Sequence, residues 1–426
     1  MDQRWFQWGM LAHVAVLLLL AHGYDMLVFQ DVARRLLRGE GIYAPFGEWL
    51  ARHGDEYYAY PPLFAYLLWI SGRIAVALGG HWWLEHLFIK GWMLLADLLV
   101  FGLLYRAHPG AARTYWTWWI VPVAGIAHVQ PDLWVGLAVL SAYALARRER
   151  WPAVGLLLAA GIGVKFIPLL IMPFLVGVLV QARRYRAALQ LCGALAAGLL
   201  IVWLPYAVAY EDATQFARVI HYHLSRPPAG LTAATGLRFL IDVQWAVQVL
   251  TGIEPSRAAA MVLADDALAT FYRVLTPLAF VLLGAVALGR RWSLEQAFLI
   301  PLLTFLLVNR VVNEQYLLMV LPLLLLVDAP AVARLARPYA VYLFAAGTPL
   351  RFLPREYGWP LSVEALVPEP LGGTVTPWIG VGLALASGGA ALLFSYRLWR
   401  LLHRIAGEGA GERHQVSAVV PEGARG

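Results

Sequence analysis

The chain is built of long runs of Leu, Ala, Val and Ile separated by short polar breaks. The runs do not alternate with period two, so they predict helices, not the strands of a barrel. A helix crosses a bilayer with roughly 20 apolar residues. On that measure, spans are expected near 5–23, 87–105, 114–129, 132–146, 152–165, 166–181, 189–209, 269–289, 296–309, 316–331, 339–349 and 377–396. One more run, Pro61–Gly79, is apolar enough to cross. The basic breaks decide against it: Arg106–Arg113, Arg147–Arg150, Arg183–Arg186, Arg290–Arg291, Arg334–Arg337 and the tail from Arg397. If the N-terminus is inside and Pro61–Gly79 lies in or dips into the outer leaflet, all of these breaks are cytoplasmic. Counted as a crossing, it would put them all outside. The expected fold class is an all-α polytopic integral membrane protein with about 12 transmembrane helices and both termini cytoplasmic.

Composition agrees with that class. Of 426 residues, 61% are hydrophobic and 14% charged, and mean hydropathy is +0.65. An ordinary soluble domain is about 25% charged, so a disordered chain, a disulfide-stapled secreted module and most cytosolic enzymes are excluded. Cys192 is the one cysteine, and no intramolecular disulfide can form. The net charge of +7 sits in arginines at the ends of apolar runs, a topology signal and not a nucleic-acid face. The first run follows four residues and has no small-residue cleavage site, so it is expected to stay as a span. Residues 1–405 are expected to form a single membrane domain whose outer loops, 24–86 and 210–268, make the working face. The Gly/Glu/Arg-rich stretch 406–426 is expected to be a disordered cytoplasmic tail.

The outer segments hold the candidate chemistry. In 25–38, Val28, Val32 and Leu36 recur on one face beside Phe29, Ala33 and Leu37, while Gln30, Asp31, Arg34, Arg35 and Arg38 take the other. This predicts an amphipathic juxtamembrane helix on the membrane surface, ended by Gly39 and Gly41. Asp25, at its start, is either a helix cap or a carboxylate base for a lipid-borne substrate. Asp31 is the second candidate carboxylate, with a solvated helix face as the plain alternative. Tyr43 and Tyr60 either anchor the segment at the interface or shape a substrate site, and Tyr60-Pro61-Pro62 starts a helix. His128, Gln130 and Asp132 sit in the turn HVQPD, either as a polar cap around Pro131 or as functional groups at membrane depth. Lys165, between two short apolar runs, either snorkels outward or binds a phosphate as a point charge. His221, His223 and Arg226 cluster in HYHLSR. With no third and fourth ligand at standard spacing, this suits a phosphate better than a metal. Arg310, Gln315 and Tyr316 lie in a tight outer turn, as ordinary loop polarity or as the lining of an outward-facing site.

Five stretches in this order carry a resemblance: YDMLVFQDVARRLLRGEGIY, YAYPPLFAYLL, FIKGWMLLADLLVFGLLYR, ERWPAVGLLLAAGIGVKFIPLLIMP, and the pair HYHLSR and NEQYLLMVLPLL. Together they resemble the GT-C superfamily of polyprenyl-phosphate-sugar-dependent glycosyltransferases. The nearest likeness is to the catalytic subunit of GPI mannosyltransferase I and its prokaryotic relatives. The match covers roughly residues 20–330. The resemblance implies an inverting transfer of a sugar, mannose being the expected one, to a lipid or glycan acceptor on the outer face of a prokaryotic plasma membrane. It implies no cofactor and no metal. The implied partners are the polyprenyl-phosphate-linked sugar, the acceptor and membrane lipid, with no nucleic acid; a partner subunit is left open. The family's first-loop base falls on Asp25. Lys165, His223, Arg226 and Arg310 are the candidates for the donor phosphate. Asp31, Tyr43, Tyr60, His221, Gln315 and Tyr316 are candidates for the rest of the substrate. The sequence departs from the pattern at Gly23, where the family usually has a second Asp, and in HVQPD, which lacks the usual Gly-Asn-x-Glu character. A lipid-linked glycan ligase and a lipid or glycan flippase remain as alternatives.

Overall fold

A computed structural model of the chain describes residues 4–45, 58–225, 229–231, 257–309, 311–345 and 376–407. About 85% of these are helical, so the described part of the chain is of the all-α class. The strand pairing among them is a two-residue parallel contact of β1 (Ala229–Gly230) with β2 (Val311–Val312). In chain order the helices used below are α1 (Arg4–Leu19), α2 (Gly23–Leu37), α3 (Pro62–Ala77), α4 (Trp82–Ala107), α5 (Pro109–Thr117), α6 (Ile120–Pro122), α7 (Asp132–Ala146), α8 (Trp151–Val164), α9 (Met172–Gln181), α10 (Tyr185–Ala209), α11 (Phe216–Ser225), α12 (Arg257–Gly289), α13 (Leu294–Val308), α14 (Leu321–Ala345) and α15 (Thr376–Gly407).

Two of them, α4 and α10, are long and apolar enough to cross a membrane. A third crossing results if Ile120–Ala127 and α7, bent by 115°, form one broken span. Among the described residues that falls short of the twelve crossings expected, and part of the difference arises at polar breaks. The runs 114–129 and 132–146 make one bent pair around Val129–Pro131, not two crossings. The runs 152–165 and 166–181 are parted at Lys165 into α8 and Ile167–Gln181. At 14 residues, α8 is about 21 Å long against a hydrocarbon core of about 30 Å. Pro62–Ala77 and Leu294–Val308 are short apolar helices of the same kind. Part of 339–349 and nearly all of the tail lie outside the described residues, while Ala406 and Gly407 close α15.

Local sequence explains the elements near the site. Pro62 opens α3 at its first turn, as the Tyr-Pro-Pro step predicts. At the end of α2, Gly39 has φ +76, its amide donates to the Leu36 carbonyl (3.2 Å), and the Glu40 amide donates to Arg35 (2.9 Å). This is a Schellman stop, which favours glycine at that position. The apolar face of α2 does not rest on lipid, contrary to the expected membrane-surface helix. Phe29 meets Phe64 of α3 edge to face at 5.1 Å, and Leu37 and Ala33 lie against Gly72. The apolar helix α3 thus covers the apolar face of α2. On the polar face, Arg34 reaches Glu85 of α4 at 3.2 Å.

The tightest helix pair is α8 with α10. Gly155, Ala159 and Gly163 recur every fourth residue of α8, the small-residue stripe that lets helix backbones approach. A methyl added at Gly155 would lie 2.4 Å from the Leu191 carbonyl oxygen.

The basic breaks gather at one end. Arg184 donates to Glu149 (2.8 Å), Gln181 to the Ala287 carbonyl (2.6 Å) and Tyr143 to Glu295 (2.8 Å). Gln296 reaches the Ile405 carbonyl (2.7 Å), Arg397 donates to the Arg334 carbonyl, and Trp118 after α5 packs on Tyr339. These contacts link the breaks in one layer. Asp25, the HVQPD turn, Lys165 and Tyr316 lie at the other ends of the same helices.

Candidate active site

The site starts where α1 ends. Lys90, fully buried on α4, donates to the Leu20 carbonyl (2.9 Å) and lies 3.5 Å from that of Val16. An amine donor there satisfies carbonyls that the end of α1 leaves without a partner in the helix. The His22 amide donates to the Ala127 carbonyl (2.7 Å), which ties the α1–α2 joint to the π turn Val123–Ala127. His22, not Asp25, is the N-cap of α2, and Asp25 is its third residue. His22 Nδ1 stands 2.8 Å from Asp25 Oδ2 and 3.3 Å from the Asp25 amide. One nitrogen cannot donate to the first and accept from the second at once. The shorter contact, to an ionised oxygen, is the stronger, so the proton belongs on Nδ1.

The HVQPD turn supplies the opposite wall. Val129 is buried with φ +60, a left-handed conformation costly for a β-branched side chain. It separates two residues that both turn to the site. The His128 ring stacks on His22 with centroids 5.4 Å apart. The Gln130 side chain lies within hydrogen-bonding reach of Asp25 and accepts the Tyr60 hydroxyl through its carbonyl oxygen. Burial alone would raise the Asp25 pKa. The charge and hydrogen bond of His22, the charge of His128 and the Gln130 contact outweigh it and hold the carboxyl below its ordinary value. The low pKa keeps the carboxyl ionised at neutral pH, and with its side chain 19% exposed it remains open to solvent.

Beside it lies a buried ion pair. Lys165, in the break after α8, is 2.9 Å from Asp132 Oδ1, and its Nζ sits 3.8 Å from the Tyr316 ring centroid and 5.8 Å from that of Tyr60. Lys165 therefore does not snorkel; a carboxylate and an aromatic face compensate its charge. One hydrogen bond uses one of its three donors. Among the described residues, Asp132 Oδ2 and Gln315 Oε1 are buried with no hydrogen-bond partner.

The sequence candidates divide accordingly. Asp25, Tyr60, Lys165 and Tyr316 converge, and Gln315 is buried in the turn Glu314–Met319 that packs on α7. Asp31 is not brought in: it pairs with Arg35 at 2.7 Å, and Arg35 also donates to the carbonyls of Ala44 and Pro45. Tyr43 is a core residue. Its hydroxyl donates to the Tyr60 carbonyl (3.0 Å) and its amide to Asp212 Oδ2 (2.7 Å). His221 and His223 fall on α11, with side chains outside the description, and Arg226 and Arg310 lie outside the described residues. Sequence reasoning missed His22, whose only signal is its place three residues before the acid. It also missed Asp212, which takes the Tyr43 and Ala44 amides and the Tyr206 hydroxyl and so pins the first loop to α10.

One ligand atom each of His22, Asp25 and His128 lie within 4.8 Å of one another, so these three could hold a cation. Two imidazoles and a carboxylate form a donor set that zinc accepts. The sequence pointed only to His221 and His223 for a metal and disfavoured it there. No family model matches the chain, and no curated protein matches its sequence.

Proposed function

We propose that the chain is an inverting GT-C-type glycosyltransferase that moves a sugar, mannose being the expected one, from a polyprenyl phosphate to a lipid or glycan acceptor. Asp25 is the general base. It takes the proton of the acceptor hydroxyl as that oxygen attacks the anomeric carbon, and the bond to the phosphate oxygen breaks on the opposite face. The observation that carries this reading is the convergence on one reachable, ionised carboxylate of groups from three separate segments: His22, the Tyr60 stretch and the HVQPD turn. A carboxylate with a low pKa accepts the proton late, when attack has made the hydroxyl acidic. His22 fixes which carboxylate oxygen remains available. Lys165, with donors to spare, stabilises charge on the departing phosphate. The leaving group is a phosphate monoester, and its lipid tail stays in the bilayer. The reading places the site on the outer face of a prokaryotic plasma membrane. The gathering of basic breaks at the other end of the helices supports that orientation.

One observation favours a second reading. Helices broken at polar residues, at Val129–Pro131 and at Lys165, are also how transporters build a site. The experiment that separates the two uses protein reconstituted in lipid with radiolabelled polyprenyl-phosphate mannose and a lipid extract as acceptor pool. Release of polyprenyl phosphate with transfer of label, lost in Asp25→Asn, is the expected result. Movement of intact donor across the bilayer without release would replace the transferase with the flippase. Transfer at half the wild-type rate in Asp25→Asn would remove Asp25 as the base.

A further inference from the structure

The layer opposite the candidate site contains a cavity that the transferase reading does not use. It lies between α14 and α15, measures about 750 Å³, and is lined by Arg334, Arg337, Arg397, Arg400 and Arg404 together with Tyr396. None of the lining residues belongs to the Asp25 site, and a kink at Asp328 separates Arg334 from the Tyr316 turn. Among the described residues the carboxylate set against them is Asp328. It also restarts α14 after a kink, its Oδ1 accepting the Ala331 amide at 3.0 Å, and it pairs with Arg404 through Oδ2. Arg397 donates to a main-chain carbonyl, that of Arg334. Arg400 lies 5.9 Å from the Tyr396 ring centroid. Among the described residues, one carboxylate thus faces five guanidinium groups.

The arginines are largely exposed, so water screens their mutual repulsion, but a single anion in the cavity would draw favourable contacts from several of them at once. We propose that this cavity is a binding site for a phosphate-bearing anion, and that the headgroup of an anionic phospholipid is its occupant. The residue type suits a phosphate: guanidinium groups grip phosphate oxygens in pairs, whereas an ammonium offers only a point charge. The rest of the lining separates a lipid from a soluble ion. Leu335, Leu393 and Leu401 form an apolar wall beside the arginines, of no use to inorganic phosphate and suited to an acyl chain. Tyr396 and Trp399 are half exposed at the same level, where aromatic side chains sit among headgroups. Basic cavities between helices on the cytoplasmic side take anionic headgroups by the same physics. The proposal does not depend on the transferase reading.

The test titrates the full-length protein in a neutral detergent with fluorescent short-chain phosphatidylglycerol, with phosphatidylcholine as the uncharged control and inorganic diphosphate as competitor. Wild type is expected to bind phosphatidylglycerol at least tenfold tighter than phosphatidylcholine. The double variant Arg334→Gln/Arg397→Gln should lose that preference, and Arg334→Lys/Arg397→Lys should retain part of it. Equal binding of the two lipids, or an unchanged preference in the glutamine variant, overturns the site. Displacement of the lipid by diphosphate at or below the lipid's own concentration overturns the lipid as occupant and assigns the cavity to a soluble anion. If the double glutamine variant does not elute as a folded protein, Arg400→Gln is titrated in its place under the same criteria.

Discussion

The two ends of this helix bundle handle charge in opposite ways. Around Asp25 itself the charged groups are wholly or partly buried and met by a partner: His22 with Asp25, Lys165 with Asp132 and Tyr316. At the other end arginines stand exposed in excess, and pairs such as Arg184–Glu149 are open to solvent. The contrast follows from the local dielectric. A charge without water must be matched or it destabilises the fold by several kcal/mol, whereas an exposed charge costs little and gains little. The first arrangement specifies geometry. The second leaves its charges open to solvent and to screening by salt.

The most forceful way to break this comparison is at Asp25. Asp25→Asn should lower sugar transfer about 10²- to 10⁴-fold, measured as polyprenyl phosphate released, while helicity and elution stay unchanged. Chelation sharpens the same point. With Asp25 as a free base, transfer should be insensitive to EDTA. If His22, Asp25 and His128 hold a cation, EDTA should be as damaging as Asp25→Asn, with zinc restoring the rate.

Next in size is the buried pair. Lys165→Met leaves the Asp132 carboxylate buried without a counter-charge and should cost about 3–5 kcal/mol, read as a lower thermal unfolding temperature in detergent. Lys165→Met with Asp132→Leu should recover most of that loss while transfer stays low. If Lys165→Met alone unfolds like wild type, the pair is not dry.

Acid gives a smaller and more specific effect. The Asp25 pKa is depressed in the folded chain, by groups that include His22 and His128, and the Asp132 carboxylate is close enough to oppose them. The stability contributed by this depressed group is present above the unfolded carboxylate range, about 3.9 for Asp. It is lost as pH falls through the lower folded value. Transfer should therefore hold steady as pH falls from neutral to that range and decline only below it. His22→Leu should move the decline to higher pH; an unmoved profile would show that His22 does not support the carboxylate.

The smallest effect belongs to the other end. Arg184→Ala removes an exposed ion pair and should change stability by less than about 1 kcal/mol, with transfer unchanged. A large loss there would mean that this end is dry and would undo the comparison.

Much of the site can be recognised along the chain because membrane depth makes polar residues conspicuous. Asp25, Lys165 and the HVQPD turn stand out against apolar runs. Local rules were also sufficient for the start of α3 at Pro62 and the stop of α2 at Gly39, since both depend on a few neighbouring dihedrals. The partners were not legible. Asp132 and Lys165 are 33 residues apart and Tyr60 and Gln130 are 70 apart, and no local pattern encodes those pairings. Nor does an amphipathic face say what will cover it: α2 has the pattern of a membrane-surface helix and packs on α3.

By itself, then, the sequence determined an all-helical apolar chain, its basic breaks, and which polar residues would be costly to bury. Hydropathy and backbone dihedrals are properties of short segments. Only the tertiary structure decided that apolar runs would break at Val129 and Lys165 and not cross whole, that His22 would orient Asp25, and that arginines from two distant helices would share one cavity. Those outcomes depend on which surfaces meet, because a buried charge is tolerated only where another part of the chain supplies its partner.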